Sequence, residues 1–315
     1  MKNGLNISFI IINYNSYAYV KSLIDSIQYV HGGLDFEIII VDNNSSEREI
    51  ERVSDNHDKI KLFLLEKNIG FSKANNFAVE NSGSHYLVFV NPDVLFIEDS
   101  ISPIIDFIEN NKNIGACAPK LLNEDMTVQD SAGFKMGLFY EFLEAFFLIN
   151  FFRRIYGLTL KRRDNNLPAK VGWVSAALLV AKREVFESIG GFDSDYFLNY
   201  EDIDLCRCLQ KKGYRNYYFP GLKSIHFSRQ SFKSNYALLV YSRYMSRRIY
   251  ARKHYSMLIR YLVWLFHVTG LLIRLTTVFF FYSGTEKAQR YSGYKLSLKS
   301  YFMRINDANK IFNVV

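Results

Sequence analysis

His85-Tyr86-Leu87-Val88-Phe89-Val90-Asn91-Pro92-Asp93-Val94 is the stretch on which the reading of this chain turns. An apolar run of aromatic and β-branched residues stops abruptly at Asn-Pro-Asp. Such a run predicts a buried strand. Pro92 removes a ladder donor and holds Asn91 extended, so the strand ends there. Asp93 then lies just past the carboxyl end of a strand, where open α/β sheets bind ligands. A carboxylate in that place can hold a divalent cation against a diphosphate. Turn chemistry alone explains Asn-Pro-Asp equally well, so its neighbours have to decide.

Upstream, the same grammar repeats. Ile7–Ile12 reads as a first strand, closed by Asn13-Tyr14-Asn15-Ser16. Tyr19–Val30 has apolar residues at helical spacing, with Val20, Leu23, Ile24 and Ile27 on one face. Phe36–Val41 is a second strand ending in Asp42-Asn43-Asn44-Ser45-Ser46, and Glu47–Asp55 reads as a helix. Ile60–Leu65 is a third strand, followed by a turn at Asn68-Ile69-Gly70-Phe71 and a helix over Ser72–Asn81. Strand, polar loop and helix in succession predict an α/β fold with a parallel sheet. The continuous apolar strands imply a sheet covered on both faces. Asn13, Tyr14 and Asp42 close adjacent strands, where amides and carboxylates can meet a base or ribose; Asp42 and Ser45 can equally cap the next helix. Asn68-x-Gly70 before Asn76 sets a small-residue turn ahead of a helix start, which favours anions.

Downstream, Phe134–Leu160 is crowded with aromatics and closed by Arg153-Arg154 and Lys161-Arg162-Arg163. It reads either as an interfacial flap or as an ordinary helix pair. Val171–Val180 sets small residues around Trp173, suiting a segment that approaches a bulky ligand. Ala181–Ile189 reads as a helix stopped by Gly190-Gly191. Glu201, Asp202 and Asp204 fall in the first turn of a further helix, which suits its dipole and keeps a carboxylate ionised for use as a base. Arg215–Phe219 is a short strand, and Pro220-Gly221 turns toward His226. A lone histidine such as this is more often structural than a ligand.

Net charge is +8, unevenly spread. Residues 231–315 hold fourteen Lys/Arg against two acids, or +12, which leaves −4 on the rest. The C-terminal region is therefore expected to meet an anionic surface or ligand. Tyr261–Tyr282 is a 22-residue apolar stretch, long enough to span a bilayer. Arg274 inside it argues against a span. His267, Gly270, Arg274 and Thr277 share one helical face, a narrow polar stripe that suits a helix lying in a membrane interface or, alternatively, one packed against the catalytic domain. Cys117, Cys206 and Cys208 are too few and too scattered for a disulfide framework or a zinc site, and fit a reducing compartment. The N-terminus reads as a strand, not an export signal.

Taken together, Ile10–Asn15, Val41–Ser46, Asn68–Asn76, Val90–Asp93, Gly190–Asp193, Asn199–Leu205 and His226 resemble family 2 glycosyltransferases. The likeness is greatest to the bacterial rhamnosyltransferase-type branch that extends lipid-linked O-antigen or cell-wall saccharides. It covers about residues 5–230. It implies a GT-A nucleotide-binding α/β sandwich over 1–230, followed by basic, aromatic helices over 231–315. By resemblance, Asp42 contacts the donor's base or ribose, with Asn13, Tyr14 and Asn68 nearby and Gly70 and Asn76 at the turn beyond. Asp93 matches the last aspartate of the metal motif, and His226 a histidine that completes coordination in some members. Asn91 stands where many relatives have a first aspartate, so the charge of the motif is reduced. Asp202 matches the catalytic base, while Glu201 and Trp173 fall where sugar and acceptor bind.

The implied reaction is an inverting transfer from dTDP-rhamnose or a UDP-hexose to a lipid-linked or polysaccharide acceptor, with Mg²⁺ or Mn²⁺. The implied place is cytoplasmic, peripheral on the inner face of the cell membrane, against an anionic surface and without nucleic acid. Two alternatives remain: a nucleotidyltransferase, whose Gly-rich basic loop is replaced here by Asn13-Tyr14-Asn15-Ser16, and a catalytically inactive scaffold of the same fold.

Overall fold

The computed structural model describes residues 6–46, 49–54, 58–149, 151, 166–227 and 236–305. They group into two compact units, neither continuous in sequence. The first comprises Met1–Lys135, Thr159–Ser194 and Asp202–Ser231; the second comprises Met136–Leu158, Asp195–Glu201 and Phe232–Val315. Spatial grouping thus joins two earlier segments to the C-terminal helices.

The first unit opens with β1 (Ile7–Asn13), α1 (Tyr17–His31), β2 (Phe36–Asp42), β3 (Ile60–Leu64), α2 (Phe71–Glu80) and β4 (Tyr86–Val90). Between β2 and β3 the expected helix is only a 3-10 stretch, Glu49–Ser54. A segment so short gains little against the cost of nucleating a helix. After Asn-Pro-Asp come β5 (Val94–Phe96), α3 (Ser102–Asn110), β6 (Ile114–Leu122) and β7 (Ala132–Gly133). The chain then gives α4 (Leu138–Ala145) to the second unit. It returns as β8 (Ala169–Val171), β9 (Trp173–Val174), β10 (Leu178–Lys182) and α5 (Arg183–Ser188), followed by α6 (Glu201–Lys211) and β11 (Arg215–His226).

The main sheet has the order β3-β2-β1-β4-β10-β6-β11-β5, with β8 also on β11. The four strands at the β3 end are mutually parallel, as the βαβ pattern predicts. β10 is inserted antiparallel to both β4 and β6. β11 runs parallel to β6 and antiparallel to β5. It is longer than the sequence suggests, because a register shift between Phe219 and Lys223 absorbs Pro220-Gly221. Proline is tolerated inside a sheet at such an irregularity.

Alternation along the strands divides the core in two. Ile7, Phe9 and Ile11 of β1 face Val20, Leu23 and Ile27 of α1 and the isoleucines of α3. Ile10 and Ile12 face the other way, toward Ala74 and Ala78 of α2, Phe186 of α5 and Leu205 of α6. Both faces are therefore covered by helices, which is why β1, β2 and β4 read as unbroken apolar runs.

The second unit is helical: α4, then α7 (Tyr236–His254), α8 (Met257–Phe281) and α9 (Gly284–Ser300). Val240 and Tyr244 of α7 pack with Leu271 of α8 and with Tyr301. The polar stripe of α8 points inward. His267 is buried, with Nε2 2.9 Å from Glu141 Oε2 on α4 and Nδ1 2.7 Å from the Tyr301 hydroxyl. Arg274 donates to the carbonyls of Ala145 and Glu144, each at 2.8 Å. Gly270 lies where a Cβ would meet the Ala145 carbonyl at 2.6 Å, so glycine lets α4 end directly against α8. Of the aromatic segment Phe134–Leu160, the part on α4 is helical, and Lys161–Arg163 lie outside the described residues.

Candidate active site

β1 and β2 are in full register, so Asn13 lies directly opposite Asp42 at their carboxyl ends. Both side chains are buried. Asn13 Nδ2 donates to Asp42 Oδ1 at 2.6 Å and to Ser45 Oγ at 3.1 Å. Asp42 also accepts from the Ser45 hydroxyl at 2.6 Å and the Ser45 amide at 2.9 Å. Asn13 Oδ1 is buried with no donor among the described residues, an acceptor that a bound N–H or hydroxyl can satisfy. Tyr14 follows, half-buried, its carbonyl accepting from Ser16 Oγ at 3.1 Å.

Two amides expected at this edge act differently. Asn68 Oδ1 accepts from Asn43 Nδ2 at 2.9 Å and from the Gly70 amide at 3.0 Å. Asn68 laces the loop together, and Gly70 turns it with φ +84° into α2. Asn76 meets backbone. Its Nδ2 donates to the Phe192 carbonyl at 2.7 Å, and its Oδ1 accepts from the Phe192 amide at 2.9 Å. Both amide groups engage the backbone of Phe192, so Asn76 braces α2 against that turn.

Asn-Pro-Asp and His226 are brought together by strand pairing. β5 starts immediately after Asp93 and runs antiparallel to the end of β11, setting Val94 opposite His226. His226 Nε2 lies 3.2 Å from Asp93 Oδ1 and 3.5 Å from Asn91 Nδ2, although Asn91 and His226 are 135 residues apart. Asp93 is buried, and its carbonyl accepts from the Phe227 amide at 2.9 Å.

A residue with no signal in the sequence sets the chemistry of this pair. Gln129 follows a tight loop after β6, in which the Asn123 amide donates to the Thr127 carbonyl at 2.7 Å. The Gln129 amino group donates to Asn123 Oδ1 at 2.8 Å and to the His226 carbonyl. Its oxygen therefore faces the imidazole, 2.8 Å from His226 Nδ1. An oxygen can only accept, so Nδ1 carries the proton. Nε2 faces the Asp93 carboxylate, and a cation or a proton between the two accounts for that separation. An oxygen and an imidazole nitrogen, the latter oriented by a second hydrogen bond, form a donor set suited to a divalent ion such as Mn²⁺.

Asp202 stands at the start of α6, half-buried. Its Oδ2 accepts from the Ala176 amide at 3.2 Å and its Oδ1 from the Ile203 amide at 2.8 Å. Burial pushes its carboxyl above the ordinary aspartate value, and these backbone bonds oppose the shift. The next residue of the same loop, Ala177, accepts through its carbonyl from the Asn91 amide at 2.9 Å. Adjacent residues 176 and 177 thus hold the carboxylate and the Asn-Pro-Asp turn. Trp173, half-buried on β9, covers Gly133 of β7, where a Cβ would meet its indole nitrogen at 2.5 Å.

Asn199 and Tyr200, before Asp202, have φ of +65° and +71°. Left-handed backbone is strained for a tyrosine. The second unit holds it in place. Ser242 and Ser246 donate to the Leu198 carbonyl at 2.7 and 2.9 Å, and buried Arg247 donates to the Tyr200 hydroxyl at 2.6 Å. Glu201 opens α6 and is buried. Gln129 and Arg247 gave no signal in the sequence because each acts only through partners distant in the chain.

Residues 8–190 match the profile described as Glycosyl transferase family 2. The chain belongs to glycosyl transferase family 2. This family 2 chain is 27% identical over 207 residues to the N-acetylglucosaminyl-diphospho-decaprenol L-rhamnosyltransferase of Mycobacterium tuberculosis, covering 62% of the chain and 67% of that protein. It is 23% identical over 262 residues to rhamnosyltransferase WbbL of Escherichia coli K12, covering 77% and 96%. In fold it is similar to the mannosyltransferase PcManGT of Pyrobaculum calidifontis, solved with GDP-Man and Mn²⁺. The TM-score is 0.56 at 15% identity, covering 99% of this chain and 88% of that one. The first unit of this family 2 transferase therefore has the GT-A architecture, and the relatives it resembles include rhamnosyltransferases.

Proposed function

We propose that this chain is an inverting hexosyltransferase. It moves a sugar from a nucleotide-diphosphate donor, dTDP-rhamnose or a UDP-hexose, to a lipid-linked saccharide in O-antigen, capsule or cell-wall synthesis. The observation that carries this reading is the loop at 176–177. Its backbone holds Asp202 through one residue and the Asn91-Pro92-Asp93 turn through the next. A proton acceptor and a cation-binding turn are thereby fixed to one short segment.

Asn13 and Asp42 face the base and ribose, with Ser45 fixing the carboxylate. Asp93 and His226 are the residues that hold Mg²⁺ or Mn²⁺, with Asn91 beside them. When bound, the ion supplies positive charge against the leaving diphosphate. Asp202 accepts the acceptor hydroxyl's proton as that oxygen attacks the anomeric carbon from the side opposite the leaving group. One displacement inverts the centre. Burial raises the affinity of Asp202 for a proton, the direction a general base requires. Trp173 and Glu201 are assigned to the sugar and acceptor. A lipid-linked acceptor and a soluble donor meet at the cytoplasmic face of the cell membrane, where we place the enzyme.

The test is a donor screen with Mg²⁺ and Mn²⁺, reading nucleoside diphosphate release from dTDP-rhamnose and UDP-hexoses with a polyprenyl-diphosphate saccharide present. Acceptor-dependent release that disappears in Asp202→Asn supports the reading. Binding of nucleotide without turnover of any donor in the presence of acceptor supports the inactive scaffold instead.

A further inference from the structure

The helix α8 is built with its polarity reversed. Its inward face carries His267 and Arg274, both buried and bonded to Glu141, Tyr301 and the carbonyls of Glu144 and Ala145. Its outward face carries Leu258, Tyr261, Leu265, Leu272 and Phe279. Their spacings of three, four, seven and seven residues put them in one stripe along the helix. All five are exposed, from 42% at Leu265 to 71% at Leu258. At 1.5 Å per residue the stripe is about 30 Å long. Apolar side chains exposed singly are ordinary, but a continuous row of this length marks a contact surface. Charge inside and leucine outside is the arrangement of a helix whose outer medium is not water.

The charge around α8 identifies that medium. Residues 231–315 carry fourteen Lys/Arg and two acids. Arg260, Lys295, Lys299 and Arg304 are exposed on this unit. Such a surface complements anionic headgroups. Along α8 runs α9, with Lys287 over the Phe279 ring at one end and the Tyr301 carbonyl accepting from Trp264 at 3.4 Å at the other. With its exposed Lys295 and Lys299, α9 is unsuited to hydrocarbon, so the pair cannot cross a bilayer together.

We propose that α8 lies in the plane of an anionic bilayer surface, its Leu258–Phe279 stripe among the acyl chains and the neighbouring Lys and Arg at the phosphates. This deepens the membrane placement above and is independent of the donor chemistry. The test is flotation of the full chain with phosphatidylcholine vesicles, with and without phosphatidylglycerol, for wild type, Leu265→Asp and Leu272→Asp. Both positions are exposed, and nucleotide binding reports that the catalytic unit is folded. If a charged replacement unfolds the helices, Leu265→Ser carries the same comparison. Wild type is expected to float with the anionic vesicles. Each variant is expected to partition about tenfold or more weakly, the worth of one inserted leucine side chain. Variants that float like wild type overturn the proposal, and so does release of all bound protein by high salt, which would leave only the basic residues at work. A wild-type dimer that the variants dissolve, with vesicle binding unchanged, assigns the stripe to a second copy and overturns it as well.

Discussion

Replacing Gln129 with leucine isolates the role of the His226 tautomer. The substitution removes the acceptor 2.8 Å from His226 Nδ1, and with it the group that fixes which nitrogen carries the proton. It also removes the amide's bonds to Asn123 and the His226 carbonyl, so some stability is lost through the loop itself. Each such bond is worth about 1 kcal/mol net. Loss of a hydrogen bond that orients a liganding histidine weakens metal binding by about 10–100-fold, or about 1.4–2.8 kcal/mol. Gln129→Glu separates the two effects. A carboxylate still accepts from Nδ1–H, but cannot donate to Asn123 or to the His226 carbonyl. Both variants are expected to melt at lower temperature than wild type. Only Gln129→Leu is expected to lose Mn²⁺ affinity, read by electron paramagnetic resonance titration with nucleoside diphosphate present. Equal losses of affinity in the two variants, or wild-type affinity in Gln129→Leu, would refute the tautomer argument and leave Gln129 as a loop clamp.

Three further substitutions have expected outcomes. Asp202→Asn abolishes transfer while nucleotide binding, measured calorimetrically, stays as in wild type; wild-type-like turnover removes Asp202 from the mechanism. The same group sets a pH dependence. Its folded-state affinity for a proton is raised by burial, so kcat/KM falls on acidification above the ordinary aspartate range. By the same sign the folded state binds this proton more tightly than the unfolded chain does, so ionised Asp202 opposes folding at neutral pH and Asp202→Asn is expected to be neutral or stabilising in denaturant titrations. Asn91→Asp puts a second carboxylate beside His226 and tightens Mn²⁺ binding; unchanged affinity excludes the Asn91 side chain from the ion's surroundings. Arg247→Met leaves Glu144 and the Tyr200 hydroxyl without their buried partner, at about 3–5 kcal/mol in chemical denaturation. A loss below about 1 kcal/mol would mean that the left-handed turn before Asp202 holds its shape unaided.

The sequence alone determined the alternation of strands and helices, the parallel start of the sheet and the strand ends that carry Asn13, Asp42 and Asp93. These follow from local properties: apolar period, Pro92 at a strand end, small polar residues in the loops. It also marked the C-terminal basicity, because charge needs only counting. Only the tertiary structure decided what those ends face. β5 pairing with β11 is a long-range event, and it alone sets His226 against Asp93. The tautomer of that histidine depends on a glutamine delivered by the loop after β6. That the Asn76 amide bonds the backbone of Phe192 was not legible either, because an amide reads the same whether it meets a nucleotide or a backbone. The stripe of α8 shows the limit most clearly. Periodicity places His267, Gly270 and Arg274 on one face but does not say which way that face points. Their direction was decided by Glu141 and the carbonyls at the end of α4, since buried polar groups lie where they find partners.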